Sequence, residues 1–423
     1  MAQAFFGGVH PNDMKAATNE KAIEQLQAPA QVVIPMSMHF GAPCTPTVSK
    51  GDYVKLGQKI GEFKGLGAPI HASVSGTVAA VEPRPYSMGG KVMSVVIDND
   101  FKDDLSEEVH APADPDALSV EEMVEMVKQA GIVGMGGATF PTHVKYAPQS
   151  SGRIIDTVIL NGIECEPFIT ADYRILIEHA DEVIRGLKYF LKASLANKGI
   201  IAIEDNKPRA IELFNQLTAD DPNISVVVCP EKYPQGSERH LIYAVTGRVV
   251  PERALPSAVG VIVDNVATAM QAALAVKDDL PCYERIVTVS GNAVHKPGNY
   301  RVRIGTLYSH LVEQGAQGLK NDPARIISGG PMMGFSLHSL DFPVLKGTGG
   351  LLLFDHQSEL AKLPSENPCV RCGKCVDTCP MFLEPTQLFK AVKRRDWPAA
   401  LAGHVGTCIE CGSCAYNCPA HIP

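Results

Sequence analysis

The residues with the clearest capacity for chemistry are the twelve cysteines, and their distribution along the chain is very uneven. Four stand alone within the first 282 residues, whereas the other eight lie between positions 369 and 418. A secreted, disulfide-stabilised protein would spread its cysteines through the fold. Clustering at one end of the chain instead indicates metal ligation in a reducing compartment.

The eight clustered cysteines form two copies of the pattern C-x2-C-x2-C-x3-C-P. This run is typical of bacterial ferredoxins that bind two [4Fe–4S] clusters, in which three closely spaced thiolates bind one cluster and the fourth turns away to the other. Zinc sites use paired C-x2-C units at wider spacing, which makes two zinc sites the weaker alternative. We therefore predict two ligand sets, the first being Cys369, Cys372, Cys375 and Cys418 and the second Cys379, Cys408, Cys411 and Cys414.

A second chemical signal is the glycine-rich segment GMGGATFPTHVK at residues 134–145. Glycines let backbone amides approach a phosphate, and Lys145 adds positive charge nearby. The segment is not a dinucleotide fingerprint, because Thr139 stands where the third glycine would be. Taken alone, it fits a structural turn equally well.

Three polar segments follow predicted strands: NGIECEP (161–167), YPQGSE (233–238) and DNVAT (264–268). They belong to a region in which buried strands such as DTVILNG, GIIAIED and ISVVVCP alternate with helical stretches at 172–195 and 208–218. This alternation predicts a parallel sheet of Rossmann type. In open α/β sheets ligands bind at the carboxyl ends of the strands, where these polar turns lie.

The flanking regions have different patterns. Residues 44–98 are short strands between glycine-rich turns and resemble the barrel-sandwich hybrid of biotinyl and lipoyl domains. A carrier domain needs a lysine at its hairpin tip, but none occurs between Lys64 and Lys91, which favours a scaffold. Residues 284–330 combine a predicted hairpin with a short amphipathic helix and resemble a small β-grasp domain.

Length and composition exclude several classes of protein. The 423 residues suggest about three globular units, and the formal charge of −8 without a long basic run argues against nucleic acid as a partner. The most apolar stretch, 258–276, contains polar residues, and the amino terminus lacks the features of a signal peptide. We expect a soluble intracellular protein.

Together, the glycine-rich loop and the three polar turns resemble the NADH-binding flavoprotein subunit of respiratory complex I. That resemblance implies contacts with FMN for Gly134, Gly136, Gly137, Lys145, Asn161, Tyr233, Gly236, Asp264, Asn265 and Thr268. It also implies that Phe140, Glu164, Glu166 and Glu238 line the NADH site, with Glu164 and Glu166 at the hydride-transfer position. Met135 and Ile163 depart from the family, which has arginine and an acidic residue there. Cys165 beside the flavin is either redox-active or a small buried hydrophobe.

The complete order of segments, with HFGAP at 39–43 and SGGPMMG at 328–334, resembles the C subunit (RnfC) of Rnf electron-transport complexes. The related subunit of the Na+-translocating quinone reductase resembles only the first three parts, because it lacks the ferredoxin motifs. The resemblance implies a multidomain α/β protein. Its four units are an N-terminal segment with a barrel-sandwich hybrid (1–115), a Rossmann-like FMN/NADH domain (116–280), a β-grasp, soluble-ligand-binding-like domain (281–345) and a helical double-[4Fe–4S] module (346–423).

The resemblance also implies a function. The protein would be a peripheral subunit on the cytoplasmic face of the cell membrane that passes electrons from NADH through FMN and two clusters to partner subunits and ferredoxin. The complex would be an ion-translocating ferredoxin:NAD+ oxidoreductase that moves Na+ or H+. Two alternatives remain open, namely a diaphorase subunit of a soluble NAD-linked hydrogenase or formate dehydrogenase, and a non-catalytic adaptor with a decayed flavin site.

Overall fold

The computed structural model describes residues 2–146, 154–362 and 364–423. The chain begins with an extended amino-terminal segment, which leads into the short strand β1 (Ile23–Gln25). This strand pairs in parallel with residues 299–301, and so it belongs to a sheet formed almost entirely by the third unit. The predicted first unit, residues 1–115, therefore contributes one strand to the sheet of the third unit.

The barrel-sandwich unit consists of two small sheets that enclose an apolar core. Its longest strands form a hairpin, in which residues 94–97 of the second strand are consecutively buried while the far end of the first strand is largely exposed. The strands are β2 (Gln31–Pro35), β3 (Thr45–Pro46), β4 (Tyr53–Val54), β5 (Lys59–Glu62), β6 (Ile70–His71), β7 (Gly76–Pro85) and β8 (Lys91–Asn99). Their order is β2-β8-β7-β4 in one sheet and β3-β5-β6 in the other.

The central unit is the α/β domain, which contains a four-stranded sheet. Its strands are near-continuous runs of buried apolar residues, because helices cover the sheet. The elements are α1 (Val120–Gln129), α2 (Thr142–Lys145), β9 (Thr157–Gly162), α3 (Ala171–Glu178), α4 (Ala180–Ser194), β10 (Lys198–Glu204), α5 (Pro208–Leu217), β11 (Ile224–Cys229), α6 (Glu238–Thr246), β12 (Val261–Asn265) and α7 (Val266–Asp278). Every strand pair is parallel, as the strand–helix alternation predicts, and the order is β11-β10-β9-β12.

The third unit is built on a six-stranded mixed sheet, β1-β14-β13-β17-β15-β16. Its elements are β13 (Glu284–Ser290), β14 (Gly298–Arg303), α8 (Tyr308–His310) continued by a π-helical turn (Leu311–Gly315), β15 (Pro323–Ser328), β16 (Phe335–Leu337) and β17 (Gly350–Asp355). The hairpin expected from the sequence is the antiparallel pair β13–β14. The sheet extends past the boundary at 345 that the sequence suggested, because β17 is a fully buried strand that pairs with β13 and β15.

The last unit consists of short helices around the cysteines. They are α9 (Lys374–Asp377), α10 (Pro385–Lys393), α11 (Trp397–Ala402) and α12 (Ser413–Tyr416). Within residues 2–146, 154–362 and 364–423, the structure contains no helix with both the length and the apolar character needed to cross a bilayer.

The packing of α4 on α7 is unusually close and gives a test of the fold. A Cβ on Gly186 would lie 2.0 Å from the carbonyl oxygen of Ala269, which is backbone and cannot rotate away. Alanine normally stabilises a helix by about 1 kcal/mol relative to glycine. Here overpacking should dominate, so Gly186→Ala should lower the free energy of unfolding by about 2 kcal/mol.

Denaturant unfolding measures this difference, with Lys188→Ala on the exposed side of the same helix as the control. Lys188→Ala should change the free energy of unfolding by less than about 0.5 kcal/mol. A Gly186→Ala protein as stable as the parent would show that the two helices are not in contact at this point.

Candidate functional site

The strand order of the α/β sheet creates a crevice between β9 and β12. The chain moves from β9 outward to β10 and β11 and then returns to the other side of β9, so connections leave these two strands in opposite directions. Ligands of open α/β sheets bind at such a switch point, outside the carboxyl ends of the strands. Asn161 lies at the end of β9, and Asp264 and Asn265 lie at the end of β12. The sequence-predicted residues therefore meet where the topology favours a ligand.

The glycine-rich loop lies over this crevice and presents open backbone. A Cβ on Gly136 would lie 3.4 Å from the Cβ of Asn265, so the loop contacts the end of β12. Gly137 has a φ of +118°, and a Cβ there would meet no atom of the described residues within 4 Å. Gly136, Gly137 and Ala138 are exposed. The backbone of residues 136–138 is therefore open on this side, and this open turn is the cradle in which we expect a ligand.

The other side of the loop is fixed by contacts from three different units. The amide of Met135 donates to the hydroxyl of Thr268 on α7 at 2.9 Å, and the carbonyl of Met135 accepts from Arg285 of the third unit at 3.3 Å. The amide of Phe40, from the barrel-sandwich unit, donates to the carbonyl of Thr139 at 2.9 Å. Because Thr268 is completely buried, its hydroxyl lies beneath the loop rather than in the open crevice.

Lys145 is held at the end of β12 by a carboxylate. Its Nζ donates to Oδ1 of Asp264 at 2.8 Å and to the carbonyl of Val263 at 2.7 Å. The other oxygen of Asp264 accepts from the hydroxyl of Tyr146 at 2.6 Å. Glu238, at the start of α6, is near enough that the charge of Lys145 lowers its pKa and the charge of Asp264 raises it. A lysine and two carboxylates therefore meet on one side of the crevice.

Asn161 connects the turn after β9 to the turn after β11. Its Nδ2 donates to the carbonyl of Gly236 at 2.9 Å, and its Oδ1 accepts from the amide of Ile163 at 3.2 Å. A Cβ on Gly236 would lie 3.3 Å from the sulfur of Cys165, so a larger residue here would require that sulfur to shift by a few tenths of an ångström. Burial raises the pKa of the Cys165 thiol to about 12, which favours its neutral form.

Gln235 is a residue of this turn that the sequence analysis did not single out. It is completely buried, and neither polar atom of its side chain has a hydrogen-bond partner among the described residues. A buried amide without partners costs about 1–3 kcal/mol, and a polar ligand or an ordered water usually pairs with such a group. No local pattern of charge or periodicity distinguishes this glutamine in the sequence.

Glu164 is buried beneath the turn and caps a helix. It accepts from the amides of Asp172 and Tyr173 at 2.7 and 3.2 Å, which places it at the amino terminus of α3. Its φ is +52°, and Lys15 Nζ lies 4.0 Å from its carboxylate. Burial raises the pKa of Glu164 to about 7, while Lys15 opposes the rise. The Glu164 carboxylate therefore joins the turn after β9 to the first residues of α3.

Glu166 faces the third unit. Its two oxygens accept from the amides of Met332 and Met333 at 3.0 and 2.8 Å, within the segment SGGPMMG. Burial raises the pKa of Glu166, and these two amides partly offset the rise. Of the remaining predicted NADH-site residues, Phe140 is half-buried, and its ring centroid lies 6.0 Å from that of Phe40.

Tyr233 links the α/β unit to the cysteine module. Its ring is buried, and its hydroxyl donates to the carbonyl of Cys411 at 2.8 Å. Both Glu166 and Cys165 are near enough to affect its pKa, which burial raises far above the ordinary value. Tyr233 is therefore the residue through which the predicted flavin turn contacts the second cysteine run.

The two cysteine runs share one backbone conformation. The residues Arg371 and Glu410 have φ values of +56° and +55°, and the glycines two positions later have +79° and +74°. The amides of Arg371 and Glu410 donate to the sulfurs of Cys369 and Cys408, both at 3.4 Å. Amides directed at sulfur stabilise thiolate ligands, as expected of a cluster-binding run.

The sulfur positions relate the two runs to each other. Burial raises the pKa values of Cys408 and Cys414, and Cys379 and Cys411 add to both. Cys379, from the first run, thus lies near Cys408 and Cys414 of the second. In residues 2–146, 154–362 and 364–423, no group of three or more His, Cys, Asp or Glu residues is arranged to hold a metal ion, and no cysteine forms a disulfide. The support for cluster binding is therefore the conformation of the runs and their amide–sulfur contacts.

Protein-family models match each of the four units. They are the RnfC barrel-sandwich hybrid domain at residues 3–102, the Nuo51 FMN-binding domain at 127–274, the SLBB domain at 286–336 and a 4Fe-4S dicluster domain at 366–422. The predicted cofactors, FMN and two [4Fe–4S] clusters, are thereby confirmed at the level of the domain. The open cradle at Gly137 and the shared conformation of the two runs fit these groups.

Similar proteins agree over most of the chain. The C subunit of the Na(+)-translocating ferredoxin:NAD(+) oxidoreductase complex of Acetobacterium woodii is 44% identical over 93% of this chain and 88% of its own length. The chain belongs to the RnfC family. The C subunit of the proton-translocating complex of Clostridium ljungdahlii is also 44% identical, over 92% of this chain and 84% of its own. That of the ion-translocating oxidoreductase complex of Pectobacterium atrosepticum is 39% identical, but the match spans only 55% of that protein.

A solved structure resembles this RnfC family member in fold. A chain of the NAD+-reducing [NiFe]-hydrogenase in its H2-reduced state aligns with a TM-score of 0.52 over 72% of this chain and 60% of its own, at 21% identity. At that identity the likeness concerns the fold alone. The family expectation drawn from the sequence is confirmed, and the chain is a multidomain α/β protein with the four matched units.

Proposed function

We propose that this chain is the NADH-oxidising, FMN-containing subunit of an ion-translocating ferredoxin:NAD+ oxidoreductase. The observation that carries the proposal is the continuity of the site. An open glycine cradle at the switch point of an FMN-domain sheet is joined through buried Tyr233 to a cysteine of a dicluster module. When bound, FMN takes both electrons of a hydride from NADH and releases them singly, which suits two one-electron clusters.

Seven of the predicted flavin residues have roles that follow from their positions. The amides of Gly136 and Gly137, beside the start of α7, would bind the phosphate, since helix amino termini and glycine turns favour anions. Lys145 would contribute positive charge from its position at Asp264, and Asn161 would orient the turn that holds Gly236. Thr268 and Asp264 would act by holding the loop and Lys145, because both side chains are buried.

The NADH side is assigned to residues around the same opening. Phe140 is half-buried, Glu238 is exposed, and Glu166 keeps its carboxylate between the α/β unit and the segment 328–334. We infer that Phe140 stacks on the nucleotide and that Glu166 and Glu238 bind its hydroxyls and amide. Glu164 contributes to hydride transfer only by fixing the turn that carries Glu166.

The partners follow from the relatives. The similar proteins are named as subunits of multisubunit complexes that translocate Na+ or protons and act on ferredoxin and NAD+. We infer that this chain is a peripheral subunit on the cytoplasmic face of the cell membrane, which exchanges electrons with partner subunits and ferredoxin. The identity of 44% over nearly the whole chain favours this assignment over a diaphorase subunit of a hydrogenase or formate dehydrogenase. The likeness to the hydrogenase chain is one of fold alone.

Anaerobic titration with NADH tests the proposal. NADH should bleach the flavin absorbance first and then the broad absorbance of the clusters, because hydride can enter only at the flavin. A protein that binds FMN and clusters but is not reduced by NADH would refute the proposed activity and favour an adaptor. Bleaching of the clusters with no flavin bound would refute the flavin as the point at which electrons arrive.

The ligand sets give a second prediction. We propose the crossed arrangement, in which Cys379 joins Cys408, Cys411 and Cys414, and its support is the electrostatic proximity of these thiols. Analysis should find about eight irons and eight sulfides per chain. Cys379→Ala should then damage the cluster of the second run and Cys418→Ala that of the first, as followed by electron paramagnetic resonance. Damage confined to each residue's own run, or stoichiometric zinc, would contradict the arrangement.

The cradle gives a third prediction. Gly137→Val should abolish FMN binding, because its side chain would project into the space above the loop. The matched control is Gly89→Val in the β7–β8 turn, where φ is +105° and a Cβ also meets nothing within 4 Å. Both variants carry similar backbone strain, but only Gly137→Val should lose flavin, measured by fluorescence after acid release. Full flavin content in Gly137→Val would show that the loop is only a turn.

A further inference from the structure

An amino-terminal strap, residues 5–9, crosses from the α/β unit to the cysteine module. The ring of Phe5 packs on His240 of α6 at a centroid distance of 4.8 Å, and its carbonyl accepts from Lys232 at 2.8 Å. Phe6 stacks on Phe382 of the module, with centroids 4.9 Å apart and planes 13° from parallel. The adjacent residues Phe5 and Phe6 therefore contact the α/β unit and the cysteine module, respectively.

The middle of the strap touches a cluster ligand of the proposed second set. The amide of Gly8 donates to the carbonyl of Thr378 at 2.9 Å. A Cβ on Gly7 would lie 2.8 Å from both the carbonyl carbon and the carbonyl oxygen of Cys379. Only glycine permits this approach, since φ at Gly7 is also +74°. The position of the Cys379 backbone is thus set directly by the strap.

The end of the strap holds Tyr233. Val9 and Tyr233 exchange two backbone hydrogen bonds, from the Val9 amide at 2.8 Å and from the Tyr233 amide at 2.9 Å. Val9, Tyr233 and Cys411 form one buried apolar cluster, against which Cys165 and Met332 pack. The strap and Tyr233 therefore fix two ligands of the same set, Cys379 and Cys411, beside the flavin turn.

The first ligand set is placed differently. Cys369 and Cys372 are exposed, whereas Cys379 and Cys411 are buried. Val370, between the two exposed cysteines, is 65% exposed, and the neighbouring Arg371 and Lys374 give this surface positive charge. In the second set Cys408 is exposed as well, so it is the buried Cys379 and Cys411 that face the flavin domain, whereas the first set has no buried member.

We propose that strap residues Phe6 and Gly7, together with Tyr233, are positioning residues that hold the backbones of Cys379 and Cys411 beside the flavin turn. A cluster bound by Cys379, Cys408, Cys411 and Cys414, the inner cluster, would then lie next to the flavin. A cluster bound by Cys369, Cys372, Cys375 and Cys418, the outer cluster, would lie towards the surface. This inference rests on the proposed function and adds the element that places one ligand set beside the flavin turn. With both groups bound, each transfer would move one electron from the reduced flavin to the inner cluster.

The first test displaces the strap. Gly7→Val should retain FMN and iron and should accept electrons from NADH at the flavin at the parent rate. Transfer from flavin to the inner cluster should slow roughly tenfold or more, because small displacements of reacting groups cost large factors in rate. The control is Gly90→Val, with φ at +70° and no atom within 4 Å of its Cβ, which should behave as the parent. A parent-like transfer rate in Gly7→Val would overturn the role of the strap.

A gentler variant covers the case in which Gly7→Val does not fold. Phe6→Ala removes the stack on Phe382 without adding a clash, and Phe6 is already 53% exposed. It should slow the same step, while Phe101→Ala, at another exposed phenylalanine, should not. Transfer is started by light-driven reduction of the flavin, so the result does not depend on oxidation of NADH.

The order of the clusters is tested by spectroscopy. Rapid freezing after photoreduction should show the paramagnetic signal of the inner cluster before that of the outer one, with the signals assigned from Cys379→Ala and Cys418→Ala. Tyr233→Phe should lower the reduction potential of the inner cluster only, because it removes a hydroxyl dipole that donates to the backbone carbonyl of Cys411. This measurement needs no flavin, so it also stands if the proposed function fails. The reverse order of signals, or a shift confined to the outer cluster, would refute the inference.

Discussion

A loop that binds an anion through its backbone must leave its amides free on one side while every other polar group is satisfied. The segment from Gly134 to Phe140 meets this constraint by being held from behind. Thr268 accepts from the amide of Met135, Arg285 donates to its carbonyl, and Phe40 donates to Thr139. Because these partners come from α7, the third unit and the barrel-sandwich unit, three parts of the chain must dock before the cradle has its shape. The proposed flavin site thus depends on contacts from both additional β units.

Buried cations that donate to backbone carbonyls join the units. Lys346 is almost completely buried, and its Nζ donates to the carbonyls of Pro69 and Gly131 at 2.9 and 2.7 Å. The Nζ of Lys15 likewise donates to the carbonyls of Glu164 and Glu166. A buried ammonium is costly unless its protons are paired, so each lysine holds its unit in one position. Burial lowers the pKa of both lysines, which reflects that cost.

The sequence predicted the parts of the site whose chemistry is local. The cysteine runs, the glycine-rich loop and the polar strand ends are patterns of a few residues, and the parallel sheet follows from strand–helix alternation. The roles of Glu164, Tyr233 and Gln235 were not predictable in this way. Whether a carboxylate caps α3, or a hydroxyl contacts Cys411, depends on contacts between residues far apart in the chain. The pairing of β1 with β14 and the contact of Gly7 with Cys379 could not be predicted from the sequence for the same reason.

The cysteine module shows how an internal repeat becomes directional. Its two runs share residues in the left-handed backbone conformation and amide–sulfur contacts, so by themselves they would form two equivalent cluster-binding sites. Equivalence is lost on docking, because Cys411 is buried against Tyr233 and Val9 whereas Cys372, its counterpart in the first run, stays exposed. Burial lowers the dielectric around Cys379 and Cys411, and exposure leaves Cys369 and Cys372 accessible to a partner. We infer that the module acquires an inner and an outer end from the surface on which it lies, and that the contacts of Gly7 and Gly8 with Cys379 and Thr378 determine which end is inner.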